Sequence, residues 1–230
     1  MDAPYRRGQT CPMSPHPAEL TPSEITAVKK DMRARARARR AARAAEDDST
    51  ARRSRDADLI AEAVLDAPGL PGRGDWSGLV VASYLDMPTE PATDAMHRAL
   101  TGRGARVIVP VLLPDMDLDW TDARYGRPGS REDPEQPTPR HGVDAVGSAD
   151  LVIVPALLVD EQGWRLGQGG GCYDRALRRR PAHALVAALV DDDALVPWVP
   201  HTVHDRPVDA VIRPTSGWTH LPAGSSDLRK

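Results

Sequence analysis

Five short runs of mostly Val, Ile, Leu and Ala, at residues 79–84, 106–112, 151–154, 184–190 and 208–212, constrain this chain more than any other feature. Each is apolar almost without interruption, the pattern of a strand covered on both faces rather than one with a wet side. Helical stretches and loops separate them. Residues 93–101 read as a short helix ended by Gly102 and Gly104, and residues 173–180 as another. The alternation implies an α/β fold: a three-layer α/β/α arrangement around an open, mostly parallel sheet. Leu118-Asp119-Trp120 is compatible with a further short strand.

An N-terminal helical pair precedes this sheet. Thr21 can cap a helix, Pro22 suits its first position, and Glu24 completes a capping box. The helix runs through an Ala/Arg stretch to Ala45, and Asp47-Asp48-Ser49 breaks it. A second helix runs to Leu65, with Leu59, Ile60, Ala63 and Val64 expected on its buried face. Residues 68–78 form a Gly/Pro loop. Residues 1–20 carry four prolines and no apolar period, and a disordered leader is expected there. Residues 124–142 read as a surface loop and 215–230 as a polar tail. The single α/β domain then spans 21–214.

Hydrophobic residues make up 40% and charged residues 27% of the 230, which excludes a disordered chain. No apolar run approaches the roughly 20 residues of a membrane helix. No apolar stretch follows Arg6 and Arg7, so no secretory signal is expected and the cytoplasm is the default location. Cys11 and Cys172 are too few and too far apart for a disulfide framework or a metal knuckle. His201 and His204 lack a third zinc ligand at matching spacing; His201 is expected at the surface. Residues 29–55 hold 11 Lys or Arg and 4 acids, a net +7, against −10 for the rest of the chain. Such a block can serve nucleic acid. The chain also has only three lysines, no Phe and no Asn, a bias in which Arg simply replaces Lys at solvated positions. That plainer reading covers most of these arginines, and the block lacks aromatics for base stacking.

The segment richest in chemistry is Arg165-Leu-Gly-Gln-Gly-Gly-Gly-Cys-Tyr-Asp-Arg175. It follows a buried strand and precedes a helix. Gly167, Gly169, Gly170 and Gly171 carry no side chains, so successive backbone N–H groups can turn toward one anion, aided by the helix start behind them. Arg165 and Arg175 could add forked bonds to phosphate. Asp174 would be repelled by bound phosphates unless a cation such as Mg²⁺ lies between. The alternative is a flexible turn in which Asp174 and Arg175 form a local pair. No Gly-Lys-Ser/Thr follows, which excludes a Walker A loop.

This segment, with Val154 to Trp164 before it, resembles the signature of the 5-formyltetrahydrofolate cyclo-ligase (methenyltetrahydrofolate synthetase) family. Lys29-Lys-Asp-Met-Arg33 resembles that family's N-terminal Lys-x-x-x-Arg helix. Tyr84 to Glu90 resembles its strand-end segment, Val109 to Pro114 its next strand, and His204 to Asp209 its late His-Asp-x-x-Val-Asp stretch. The likeness runs in order over about residues 24–214, outside the leader, the central loop and the tail.

The resemblance implies conversion of 5-formyltetrahydrofolate and ATP to 5,10-methenyltetrahydrofolate, ADP and phosphate, with Mg²⁺, by a monomer with no nucleic-acid or membrane partner. It implies ATP binding by Lys29, Arg33, Arg165, Leu166, Gly167, Gln168, Gly169, Gly170, Gly171, Cys172 and Tyr173. Arg165 and Tyr173 are also its catalytic candidates. Leu85, Met87, Glu90, Gln168 and Tyr173 would border the folate, and Asp174 and Asp205 would hold Mg²⁺. Plainer roles compete: a solvated helix face for Lys29 and Arg33, and core packing for Leu85, Met87 and Tyr173. Two positions depart from the family pattern. Cys172 stands where an aromatic is usual, and neutral Gln168 where Arg or Lys is often found. These departures leave one other reading open, a non-catalytic nucleotide-binding relative; the basic block at 29–55 separately leaves a nucleic-acid binder.

Overall fold

A computed structural model describes residues 20–124 and 139–222. Residues 1–19 of the expected leader and 125–138 of the expected central loop lie outside them.

The first helix, α1 (Pro22–Ala44), starts as its sequence predicts. The Thr21 hydroxyl accepts from the Glu24 N–H, and the Glu24 carboxylate accepts from the Thr21 N–H. The second helix, α2 (Ser49–Leu65), buries Ile60, Ala63 and Val64. Leu59, expected beside them, is 38% exposed. It sits about 100° around the helix from Ile60, just past the edge of the buried face.

Chain order then gives β1 (Val80–Ala82), α3 (Asp94–Thr101), β2 (Arg106–Leu112), β3 (Leu118–Asp122), β4 (Leu151–Pro155), β5 (Leu158–Asp160), β6 (Arg165–Leu166), α4 (Cys172–Ala176), β7 (Leu185–Leu189), β8 (Leu195–Val196), β9 (Ala210–Arg213) and β10 (Gly217–His220). The main sheet has the order β10-β9-β7-β4-β1-β2-β3. The five apolar runs pair in parallel, while β3 and β10 are antiparallel edges.

Alternate residues of the central strands feed opposite faces. Leu151 and Ile153 meet Ile60 and Val64 of α2 and Met96 and Leu100 of α3. Val152 and Val154 meet Ala36 of α1, Ala176 of α4 and Leu177. The expected three layers are present. Full burial of a side chain such as Ile60 or Met96 is worth about 1.5–3 kcal/mol, so these two faces supply most of the fold's driving force.

Two elements differ from the sequence reading. Gly217–His220, expected in a polar tail, pairs with β9, because Trp218 gives that strand an apolar side chain to set against the α2 face. The helix expected at 173–180 is α4 plus a 3₁₀ turn at Leu177–Arg179, since Pro181 follows closely and stops it. A small second sheet, β6-β5-β8, was not expected. Asp160 organises it: its carboxylate accepts from the N–H groups of Gln162, Trp164 and Val199, each at 2.9 Å. These bonds aim Arg165 at the site described next.

Candidate active site

The connection after β1 leads to β2 on one side, and the connection after β4 leads to β7 on the other. Between the carboxyl ends of β1 and β4 the chain therefore leaves a crevice, the place where open parallel sheets put their ligands. A cavity of about 530 Å³ lies there. Tyr84 and Leu85 come to it from the end of β1, and Pro155, Ala156 and Leu157 from the end of β4. Helix α1 supplies Lys29 and Arg33, and the glycine bend 167–171 forms the facing wall.

The bend is held by its carbonyls. Arg33 Nε donates to the Gly167 carbonyl at 2.9 Å, Arg37 Nη2 to that of Gln168 at 3.0 Å, and Arg175 Nη2 to that of Gly170 at 3.1 Å. Among the described residues, none accepts a hydrogen bond from the N–H groups of 168–171. Three cations thus fix one side of the peptide planes and leave the other side's donors unspent, as an anion nest requires. Glycine is needed here: φ is +110° at Gly169 and +69° at Gly171. At Gly170 a Cβ would stand 2.8 Å from Met116 Cε. The helix behind the bend is only five residues long. Its dipole adds less than the sequence reading assumed, and the nest rests on the local N–H groups.

Two ion pairs flank the bend. Lys29 Nζ donates to Asp205 Oδ2 at 2.7 Å, and Arg165 Nη2 to Asp174 Oδ1 at 2.7 Å. The Arg165 side chain is 4% exposed, and its Nε is buried without a partner among the described residues. Asp174 also accepts from the Arg206 N–H at 3.0 Å. Burial alone would raise the Asp205 carboxyl, but the Lys29 ammonium and the Thr202 N–H and hydroxyl outweigh it and hold Asp205 below its ordinary pKa. Burial lowers the Arg33 guanidinium, and neighbouring Arg37 adds to this, with the Asp205 carboxylate offsetting it in part.

At the other end stands Glu90, 5% exposed. Its Oε2 accepts from the Met87 N–H at 3.1 Å; Oε1 accepts from no described residue. Burial, and then the charge of Glu90, push the phenols of Tyr173 and Tyr84 well above their ordinary pKa. Both stay neutral and can donate a hydrogen bond, but neither can serve as a base. Leu85, Met87, Leu112 and Leu118 make the rest of this end apolar.

A polar end rich in cations and unspent N–H groups, joined to an apolar end with one buried carboxylate, suits a polyphosphate beside a flat heterocycle. Comparison with known proteins decides the lineage. Residues 25–214 match the profile of the 5-formyltetrahydrofolate cyclo-ligase family. The chain belongs to that family. The 5-formyltetrahydrofolate cyclo-ligase of Mycolicibacterium smegmatis is 36% identical over 170 residues, covering 69% of this chain and 88% of that protein. The Escherichia coli enzyme of the same name is 30% identical over 145 residues, covering 60% and 79%. A solved 5,10-methenyltetrahydrofolate synthetase from Aquifex aeolicus shares the fold at TM-score 0.60 and 20% identity, covering 86% of this chain and 95% of that one. The synthetase from Mycoplasma pneumoniae does so at 0.57 and 17%, covering 82% and 97%. The chain is accordingly a cyclo-ligase, a ligase of folate one-carbon metabolism.

Against this family's expected site, the cavity gathers Lys29, Arg33, Leu85, Met87, Glu90, Arg165, Asp174 and Asp205, together with Gly167 to Tyr173. Leu166 is not part of the wall: at 1% exposure its side chain packs in the core, leaving only its main chain near the bend. Arg175, weighed as a phosphate ligand, instead joins the carbonyls of Gly170 and Met116. His201, expected at the surface, stacks on Trp164 with ring centroids 3.7 Å apart. Sequence reasoning missed Tyr84, Pro110 and Leu157 in the wall. It also missed Arg37 and Arg40 of α1, which recur at helical spacing with Lys29 and Arg33, the one signal that could have marked all four as a single contact face. Among the described residues, no group of three or more His, Cys, Asp or Glu could hold a metal ion. Asp174 and Asp205 are the carboxylates available at the bend.

Proposed function

We propose that ATP lies with its phosphates on the N–H groups of 168–171 and that 5-formyltetrahydrofolate lies with its pterin against Glu90. The observation that carries this reading is the bend whose carbonyls are pinned by arginines while its amides stay unspent.

A formamide is a poor electrophile, and its oxygen a poor leaving group. In the proposed sequence the formyl oxygen attacks the γ-phosphorus of ATP and the bond to ADP breaks. The formyl carbon, now bonded to N5 and to a phosphorylated oxygen, is attacked by N10. Its bond to oxygen then breaks, phosphate departs, and the N10 proton leaves with it. The products are 5,10-methenyltetrahydrofolate, ADP and phosphate. Such a transfer asks the protein mainly for alignment and charge neutralisation.

Lys29 and Arg33 would neutralise ATP phosphates from α1, and Arg165 the transferring phosphoryl group. Tyr173, neutral and beside both ends of the cavity, would border the folate and donate a hydrogen bond. Glu90 Oε1 would accept from pterin N–H groups, with Leu85 and Met87 as an apolar wall. Gln168 supplies no charge, but Arg37 Nε donates to its Oε1 at 3.0 Å and brings a guanidinium to that place from α1. Cys172 lines the cavity without an aromatic face.

The donor set fits Mg²⁺ arriving with the nucleotide, because that ion commonly takes one or two carboxylates and completes its shell with phosphates and water. Asp174 and Asp205 would hold it, and it would supply charge neutralisation between phosphate oxygens.

Purified protein mixed with 5-formyltetrahydrofolate and Mg-ATP should develop methenyltetrahydrofolate absorbance and ADP in equal amounts. Product formed without ATP, or none formed with it, overturns the reading.

A further inference from the structure

The segment that presents Glu90 is held from behind by a residue outside the cavity. Residues 85–92 pass from the end of β1 toward α3 with no helix or strand of their own. Arg53, in the second turn of α2, reaches into them. Its Nη1 donates to the carbonyls of Pro88, at 3.1 Å, and of Glu90. Its Nη2 donates to the Asp86 carboxylate. The other Asp86 oxygen accepts from the Thr93 N–H at 2.8 Å and hydroxyl at 2.7 Å. That hydroxyl also stands 3.1 Å from the Tyr84 carbonyl. Within the turn, the Glu90 N–H donates to the Met87 carbonyl at 2.9 Å.

One planar guanidinium therefore binds both ends of the 86–90 turn, and Asp86 passes the restraint on to the start of α3. Arg53 itself does not line the cavity. An ammonium is a single point of donors and cannot span these acceptors with the same geometry.

We propose that Arg53 is a positioning residue for folate recognition: it fixes where the Glu90 carboxylate stands and so sets folate affinity without touching folate. This rests on the reading that Glu90 faces the pterin. Arg53→Met keeps the aliphatic stem on α2 and removes the fork. Losing these charge-assisted bonds should raise the KM for 5-formyltetrahydrofolate about tenfold, with the KM for ATP unchanged. Arg53→Lys should recover little of the loss. Because Arg53 acts through Glu90, the double variant Arg53→Met/Glu90→Gln should bind folate no worse than Glu90→Gln alone.

The experiment measures both KM values and the melting temperature for these four variants. A folate KM unchanged by Arg53→Met, or raised equally with the ATP KM, overturns the proposal. So does simple additivity in the double variant. If Glu90→Gln leaves the folate KM unchanged, the substrate reading of Glu90 fails and the route through it fails too. If Glu90→Gln raises that KM and Arg53→Met does not, only the role of Arg53 is lost. Should Arg53→Met not fold, Asp86→Asn weakens the same contact from the other side and should shift the folate KM in the same direction; no shift there is equally contrary.

Discussion

Lys29 Nζ and Asp205 Oδ2 meet at 2.7 Å, so a cation suited to phosphate and a carboxylate suited to Mg²⁺ neutralise each other across the cavity wall. Arg165 and Asp174 do the same on the other flank. A nucleotide arriving with its metal would offer each group a better partner of opposite sign. The two pairs keep a charged site compact before that exchange, and both can be tested.

The Asp205 pair makes a prediction about pH. Its folded pKa lies below the unfolded one, so its contribution to stability is present in full above the ordinary 3.8 and is lost as pH falls through the lower folded value. Melting temperatures of the wild type and Asp205→Asn should therefore differ by a constant gap from neutral pH down to about pH 5, narrowing only below the ordinary value. A gap that narrows well above it would contradict the Lys29 contact.

Asp174 should prove structural as well as functional. Asp174→Ala would leave the Arg165 guanidinium, with its side chain 4% exposed, without a carboxylate. Breaking a buried pair from one side costs about 3 kcal/mol or more. Thermal unfolding should show that loss together with loss of turnover. Asp174→Asn keeps the shape and one acceptor, so it should lose turnover with a smaller drop in melting temperature. Unchanged turnover in the Asn variant would remove Asp174 from the site.

Gly169→Ala tests the bend itself. At φ +110° any side chain is strained, and its Cβ would approach Arg33 Cζ to 3.4 Å. The strain is worth about 2 kcal/mol, which the bend can relieve by turning its N–H groups out of register. The KM for ATP should rise about tenfold while the folate KM holds, since that relief acts only on the phosphate end. Steady-state kinetics with each substrate varied in turn separates the two.

Much of the fold was legible because burial leaves a one-dimensional trace. Apolar runs such as Leu151-Val-Ile-Val154 can be satisfied only by a strand with both faces covered, and Thr21-Pro22-Ser23-Glu24 carries its capping bonds locally. The glycine bend was legible for a similar reason: consecutive glycines mark backbone that must approach something closely. What escaped was set by partners distant in sequence. Arg40 looks like its solvated neighbours, yet it donates to Asp191 at 2.8 Å and to the Ala156 carbonyl at 2.7 Å and is buried. Gly217–His220 looks polar until β9 gives it an edge to pair with. Arg53 is one of several arginines in a basic block, and only the path of residues 86–90 past α2 distinguishes it.

A crystal structure of the protein with a non-hydrolysable ATP analogue would show whether main-chain donors of the bend hold the triphosphate. Phosphate oxygens within hydrogen-bond distance of the amides of Gln168 to Gly171, beside Lys29 and Arg33, are the predicted result. A bound analogue whose phosphates lie elsewhere, with those amides facing water, would contradict it.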